Sequence, residues 1–261
     1  MRAVFWSCVP GQTGVTAGML AAGFAAALFF GQSVYFQRAD PWSDGLEEEL
    51  ISGRTAREEL KGVGLPAACK AMRAGTLNTE MFHNCAVNLP GSRIAFLPGS
   101  LREEATGTKE EKNRLSEKLV RLASSEYDVT LIEARPGWDG LKEAWIKEAD
   151  RIVVCLSQNR RVLDRYFAEK REMPGNCRYL IGMYHPESDM TLKNLARLYP
   201  ELGGKACLLP WCTQYQDACS RGDSLRFFRQ YAKTGKGEPN REFIRECRRL
   251  SEMILSGKGR G

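Results

Sequence analysis

Pro10 to Ala17, Pro-Gly-Gln-Thr-Gly-Val-Thr-Ala, has the residue types of a phosphate-binding loop. Two glycines let a chain curl until successive backbone N–H groups point inward, and a helix starting directly afterwards adds the positive end of its dipole. Gly11 and Gly14 meet the first requirement. Gln12, Thr13, Val15 and Ala17 contribute amides, and the Thr16 hydroxyl can meet Mg²⁺ or a phosphate oxygen. The loop lacks a lysine: Val15 stands between the second glycine and the threonine, where such loops carry their cation. Arg38 and Arg135 each follow a β-rich run, and either is a candidate for the missing charge. Beside them stand two carboxylates, Asp40 as a group to orient water and Glu133 as a group to hold Mg²⁺ through water. Every one of these residues also has a structural reading, the loop as a glycine turn and the charged groups as solvated side chains or ion pairs.

For these residues to meet, the chain must run strand, loop, helix, strand. Ala3–Val9 is a β-rich run, Val15–Phe30 reads as an alanine- and glycine-rich helix suited to close packing on a sheet, and Ser33–Gln37 is a second short β run. Further strands are expected at Arg93–Leu97, where Pro98-Gly99 stops the run, and at Val129–Ile132, Arg151–Ser157, Cys177–His185 and Ala206–Cys212. Helices are expected at residues 43–64, where Leu46, Leu50 and Ile51 recur, and at 109–125, with Leu115, Leu119 and Leu122 on one face. More follow at 141–150, 159–172, 190–200 and 239–256. Alternation of this kind implies an α/β fold, a mostly parallel sheet with helices on both faces in three layers, built as one domain over residues 1–261. In such sheets ligands lie at the carboxyl ends of the strands. The unusual stretches (Pro10–Thr16, Arg38–Trp42, Pro98–Ser100 and Glu133–Gly137) all fall there.

No charged residue lies between Arg2 and Arg38, so residues 3–37 also invite reading as a membrane segment or signal. The apolar run Ala17–Phe30 is 14 residues, short of the ~20 a spanning helix needs. Nine cysteines, an odd number without a CxxC pair, and only two histidines, His83 and His185, argue against a zinc site. They suggest buried reduced thiols in a cytoplasmic protein. The net charge of +6 permits an anionic partner without demanding one. The last helix carries Phe243, Cys247, Leu250 and Ile254 on one stripe, with Arg241, Arg245, Arg248 and Arg249 around it. That pattern suits packing on the sheet or contact with a membrane surface. No aromatic-interleaved basic patch favours nucleic acid.

The ordered set of motifs resembles the ParA/MinD family of deviant Walker A P-loop ATPases over nearly the whole chain. The family's K-G-G-x-G-K-T-T loop falls on Pro10–Ala17, keeping Gly11, Gly14 and Thr16 and replacing both lysines, by Pro10 and Val15. Its D-x-D-P falls on Arg38-Ala39-Asp40-Pro41, and its D-x-x-P-G on Glu133-Ala134-Arg135-Pro136-Gly137. The loss of lysines and the opening resemble the TadZ/CpaE-type branch, whose members help localise pilus or secretion machinery. The resemblance implies ATP or ADP with Mg²⁺ as ligand, a homodimer, and protein partners in a localisation, assembly or partitioning system. The degenerate loop implies little or no hydrolysis. Alternatives are a slow ATPase in which Arg38 or Arg135 replaces the lysine, or a nucleotide-free interaction module.

Overall fold

Alternate residues of the central strands face two different layers of helices, and this alternation builds the fold. The computed structural model describes residues 1–39, 46–53, 60, 62–99, 108–138, 143–169, 173–233, 235, 237–238 and 240–256. Within them an eight-stranded sheet comprises β1 (Arg2–Trp6), β2 (Val34–Arg38), β3 (Val87–Asn88), β4 (Ile94–Phe96), β5 (Val129–Glu133), β6 (Arg151–Leu156), β7 (Cys177–Tyr184) and β8 (Ala206–Pro210). The strand order is β3-β4-β2-β5-β1-β6-β7-β8. Every pairing is parallel except β3–β4, an antiparallel edge. The seven expected strands are present. The two-residue β3 is too short to have a readable period.

On one face, Ala3, Phe5, Phe36, Leu131, Val153 and Leu180 pack against α1 (Val15–Phe30). On the other, Val4, Trp6, Ile132, Val154 and Ile181 form a second core. Helix α1 is apolar around its whole circumference because it is covered twice, by the sheet beneath and by a C-terminal helix (Arg241–Leu255) above. The Ser251 hydroxyl donates to the carbonyl of Ala22 in this contact. Helices apolar all round are buried or membrane-spanning, and here burial is the answer. Among the described residues no helix is long and apolar enough to cross a membrane.

Among the described residues the remaining α-helices are α2 (Glu47–Leu50), α3 (Leu65–Arg73), α4 (Thr79–Cys85), α5 (Lys109–Glu126), α6 (Glu143–Glu148), α7 (Arg160–Ala168), α8 (Leu192–Leu198), α9 (Thr213–Ser220) and α10 (Ser224–Tyr231). The C-terminal one is α11. The single helix expected over 43–64 is corrected: α2 stops at Leu50, Ile51 is already extended at φ −127°, ψ 116°, and Gly53 follows at φ +89°. Helices α3 and α4 escaped the sequence reading. Asn78 caps the latter by accepting from the Met81 amide.

Helix α11 settles the two readings of its stripe. Phe243, Cys247, Leu250 and Ile254 are buried in the α1 core. Of the arginines around it, Arg245 pairs with Glu242 and Glu246, Arg249 with Glu246, and Arg248 with Glu252. The stripe is therefore spent on the core, the packing reading of the two, and three of its four arginines are matched by glutamates. All nine cysteines are free, and six of them are buried. Burial pushes the Cys177 and Cys219 thiols up to about 12.

Candidate phosphate-binding site

Strand β1 ends at Trp6, and α1 begins at Val15. The connection turns through Gly11 at φ +68° and Gly14 at φ +64°, the left-handed region where side chains cost about 1–2 kcal/mol. Pro10, Gly11 and Gln12 are exposed, while Thr13 is 1% exposed. Gly14 is the N-cap of α1, and no side chain caps the helix. The first N–H groups of a helix have no acceptor within it. Those of Val15, Thr16 and Ala17 are thus available to an anion at the loop.

The loop is shaped from both sides. Thr13 lies against β7, where a Cβ on Gly182 would run into the Thr13 carbonyl oxygen. The neighbouring Met183 takes φ +49° at the irregularity between Ile181 and Tyr184. On the opposite side the Trp6 indole donates to the Gly137 carbonyl at 2.9 Å, and the Gly137 amide donates to the Ser7 carbonyl at 2.9 Å. The Pro136–Gly137 turn is thereby tied to the start of the loop. Tyr215 from α9 donates its hydroxyl to the Ala17 carbonyl at 3.0 Å and fixes the first turn of α1. Two hydroxyls nearby, Thr13 Oγ1 and Ser157 Oγ, are buried without a protein partner.

The charged residues enter through sheet register. Arg38 and Glu133 are direct partners across β2 and β5. Register partners share a face of the sheet, here the face that carries Phe36 and Leu131 beneath α1. At its carboxyl end that face turns from apolar to charged, next to the first turn of the helix. Thr16 donates its hydroxyl to Glu133 Oε1 at 2.8 Å, and Arg38 Nε donates to Glu133 Oε2 at 3.3 Å. Arg38 also reaches Glu49 Oε1 at 3.3 Å. Only about a fifth of each of these three charged side chains is exposed (18%, 18% and 23%). Burial pushes the Glu49 carboxyl above its ordinary range, an effect that the Arg38 guanidinium opposes. The second Glu49 oxygen is buried without a hydrogen-bond partner, costly for an ionised carboxylate and less so for one that holds a proton.

Of the residues expected at the site, the structure brings together Gly11, Gln12, Thr13, Gly14, Val15, Thr16 and Ala17 with Arg38 and Glu133. Arg135 is exposed on the turn after β5. Asp40 lies outside the described residues. Glu49 was missed, since a glutamate in a Glu-Glu-Glu-Leu run reads as a solvated helix face. Nothing local in the sequence marks it as the partner of an arginine on β2.

The donor set fits a phosphate. Uncapped amides, left-handed glycines and a hydroxyl converge, and the side is open at Gly11 and Gln12. It does not fit magnesium equally well. Mg²⁺ takes one or two carboxylates together with water, but the carboxylate beside Thr16 is already paired with the Arg38 guanidinium. A separate cleft of 310 Å³ between α9 and α10 is lined by Asp217, Arg221, Asp223, Arg226, Phe227 and Tyr231 among others. It shares no residue with the loop and mixes two carboxylates with two guanidinia, so its charge does not select an anion.

No protein-family model and no curated protein matches the chain. Solved structures do. The fold is similar to a ParA family ATPase from Chlorobium tepidum, with a TM-score of 0.65 at 15% identity over 96% of this chain and 98% of that one. It is similar to the septum site-determining protein MinD from Pyrococcus horikoshii, complexed with Mg-ADP, with a TM-score of 0.64 at 13% identity over 98% of both chains. A MinC:MinD cell division complex from Aquifex aeolicus gives a TM-score of 0.58 at 15% identity, over 100% of this chain and 98% of that one. The chain thus has the α/β P-loop fold of ParA/MinD-type ATPases.

Proposed function

We propose that this chain is a nucleotide-binding positioning or assembly factor of the ParA/MinD kind, with little or no ATP hydrolysis. The observation that carries the reading is the β1–α1 loop: two left-handed glycines and an uncapped helix start, with Val15 where the cation belongs. Backbone donors and a helix dipole suffice to bind a phosphate. Phosphoryl transfer needs more, because catalysis there is mostly stabilisation of growing charge. Losing one well-placed donor commonly costs ~10²–10³ in rate, and neither Pro10 nor Val15 brings a charge. Arg38 is held by two carboxylates, which keeps it from acting as a mobile substitute. At the same end of the sheet His185 and the half-exposed Trp211 stack with ring centroids 6.0 Å apart, an aromatic shelf suited to a base.

In this reading ATP or ADP is a structural ligand that sets a homodimer, and the dimer's surfaces recruit protein partners. The solved relatives support this through their printed ligands and partners, Mg-ADP on one MinD and MinC on another. The work would be localisation of pilus or secretion machinery, of the TadZ/CpaE type, or partitioning. Light scattering of the purified chain, with phosphate release measured in the same samples, tests it. The expected result is a molar mass that doubles with ATP while phosphate release stays at background. Steady turnover lost in Arg38→Ala or Arg135→Ala would make the protein a slow ATPase instead. A monomer indifferent to every nucleotide would make it a nucleotide-free interaction module.

A further inference from the structure

Helix α1 is weakest where its amides face the loop. Its cap residue Gly14 has no side chain, Val15 and Thr16 are β-branched, and Gly18 ends the first turn, whereas Met19-Leu20-Ala21-Ala22 behind them are strong helix formers. Glycine inside a helix costs about 1 kcal/mol against alanine, yet a Cβ at Gly18 would lie 2.5 Å from Leu180 Cδ2. This turn is braced from 198 residues away. Tyr215 on α9 is fully buried and donates its hydroxyl to the Ala17 carbonyl at 3.0 Å. A helix carbonyl takes one bond from the amide four residues on and has a second lone pair, which Tyr215 fills. The tyrosine ring is boxed by Phe227 and Phe228 from α10 and Phe243 from α11, with ring centroids 5.4, 5.5 and 4.9 Å away. Burial holds the phenol well above its ordinary range, so the hydroxyl stays a donor at every working pH.

We propose that Tyr215 is the positioning residue of the phosphate loop: its hydroxyl holds the first turn of α1 in the geometry that receives an anion, and it makes that geometry depend on the packing of α9, α10 and α11. This rests on the reading that the Pro10–Ala17 loop binds phosphate. Tyr215 acts through the Ala17 peptide and touches no ligand itself. Donors ordered in advance leave less conformational entropy to be lost on binding, so the brace contributes to affinity as well as to folding. The same helices are fastened on their far side. The Ser224 hydroxyl at the start of α10 donates to the Glu49 carbonyl, and a Cβ on Gly222 would lie 2.2 Å from the Ile51 carbonyl oxygen. The aromatic box that sets Tyr215 is therefore anchored to the segment after β2 and not to α1 alone.

The test compares two hydroxyl deletions in the full chain by ADP calorimetry and amide hydrogen exchange, below the melting transition of every variant. Tyr215→Phe keeps the ring in its box and removes only the donor. Tyr35→Phe removes an equally buried hydroxyl, which donates to Gln37 Oε1 at 3.2 Å on the face of the sheet away from α1. Tyr215→Phe is expected to weaken ADP binding about threefold to tenfold, the range of one hydrogen bond. It is also expected to speed exchange at Gly18, whose amide bonds to the Gly14 carbonyl across the first turn. Tyr35→Phe is expected to lower the melting temperature and leave both ADP affinity and Gly18 exchange unchanged. Wild-type affinity in Tyr215→Phe overturns the proposal and leaves the loop reading intact. An equal loss of affinity in Tyr35→Phe overturns it as well, because general destabilisation then accounts for both. A wild-type chain that binds no ADP overturns the loop reading and the proposal with it.

Discussion

On one side of the candidate site the β1–α1 loop offers amide donors and no cation. On the other, β2 and β5 offer a cation that two carboxylates already hold. The two sides meet at the hydrogen bond from the Thr16 hydroxyl to Glu133. The loop side depends on backbone conformation, so almost any change of side chain there acts through φ and ψ. The strand side depends on charge pairing across a sheet register, so changes there act through electrostatics. The proposed phosphate contact and the charge beside it thus rest on separable parts of the chain.

The largest expected effect breaks the loop side. Gly14→Val puts a β-branched residue at φ +64°, with its Cβ 3.6 Å from Met183 Cγ. Binding of ADP should vanish, and stability should fall by at least about 1–2 kcal/mol from the backbone alone; calorimetric titration and thermal melting read the two effects. Preserved binding would mean that the loop is not the phosphate site.

Next comes the strand side. Arg38→Met leaves Glu133 and Glu49 without their shared guanidinium in a mostly buried place, and should cost about 1–3 kcal/mol in urea unfolding. No loss of stability would show that the ion pairs are solvated in practice.

A smaller effect comes from supplying what the loop lacks. Val15→Lys should tighten ADP binding about tenfold, the worth of one charge-assisted hydrogen bond. Unchanged affinity would indicate that position 15 does not face the phosphates.

The smallest effect separates the carboxylates by pH. Burial raises the Glu49 carboxyl, so the folded state holds its proton more tightly than the unfolded chain does. Its contribution to stability is complete below the ordinary value of 4.5 and is lost as pH rises through the folded value. Glu148, lowered by its hydrogen bond from Arg2, runs the other way, its contribution being lost as pH falls. Glu49→Gln should flatten the decline above 4.5 in a pH series of unfolding curves and leave the acid limb unchanged.

Much of the loop side was legible in the sequence because it is local. Gly11, Gly14, Thr16 and the start of a small-residue helix lie within Gly11–Gly18, and β-rich runs on either side locate them at a strand end. The alternation of strands and helices likewise specified a mostly parallel sheet. The strand side was legible only in its members. Arg38 and Glu133 are 95 residues apart, and their pairing follows from β2 lying beside β5, which no local pattern states. Glu49 was invisible for the same reason. Two helices each carried a membrane alternative beside a packing one, α1 as a membrane segment and α11 as a membrane-surface helix, and in both the packing reading holds because each supplies the cover that the other needs. The long helix expected over 43–64 failed because leucine spacing cannot register the turn to extended backbone at Ile51.

The central claim is that the amides at the start of α1 are phosphate donors. An ADP titration of ¹⁵N-labelled protein, followed by amide NMR, tests it most directly. The account predicts that the amides of Gly14, Val15, Thr16 and Ala17 shift most and saturate together. Shifts confined to the α9–α10 cleft around Arg221 and Arg226, or none at millimolar ADP, would contradict it.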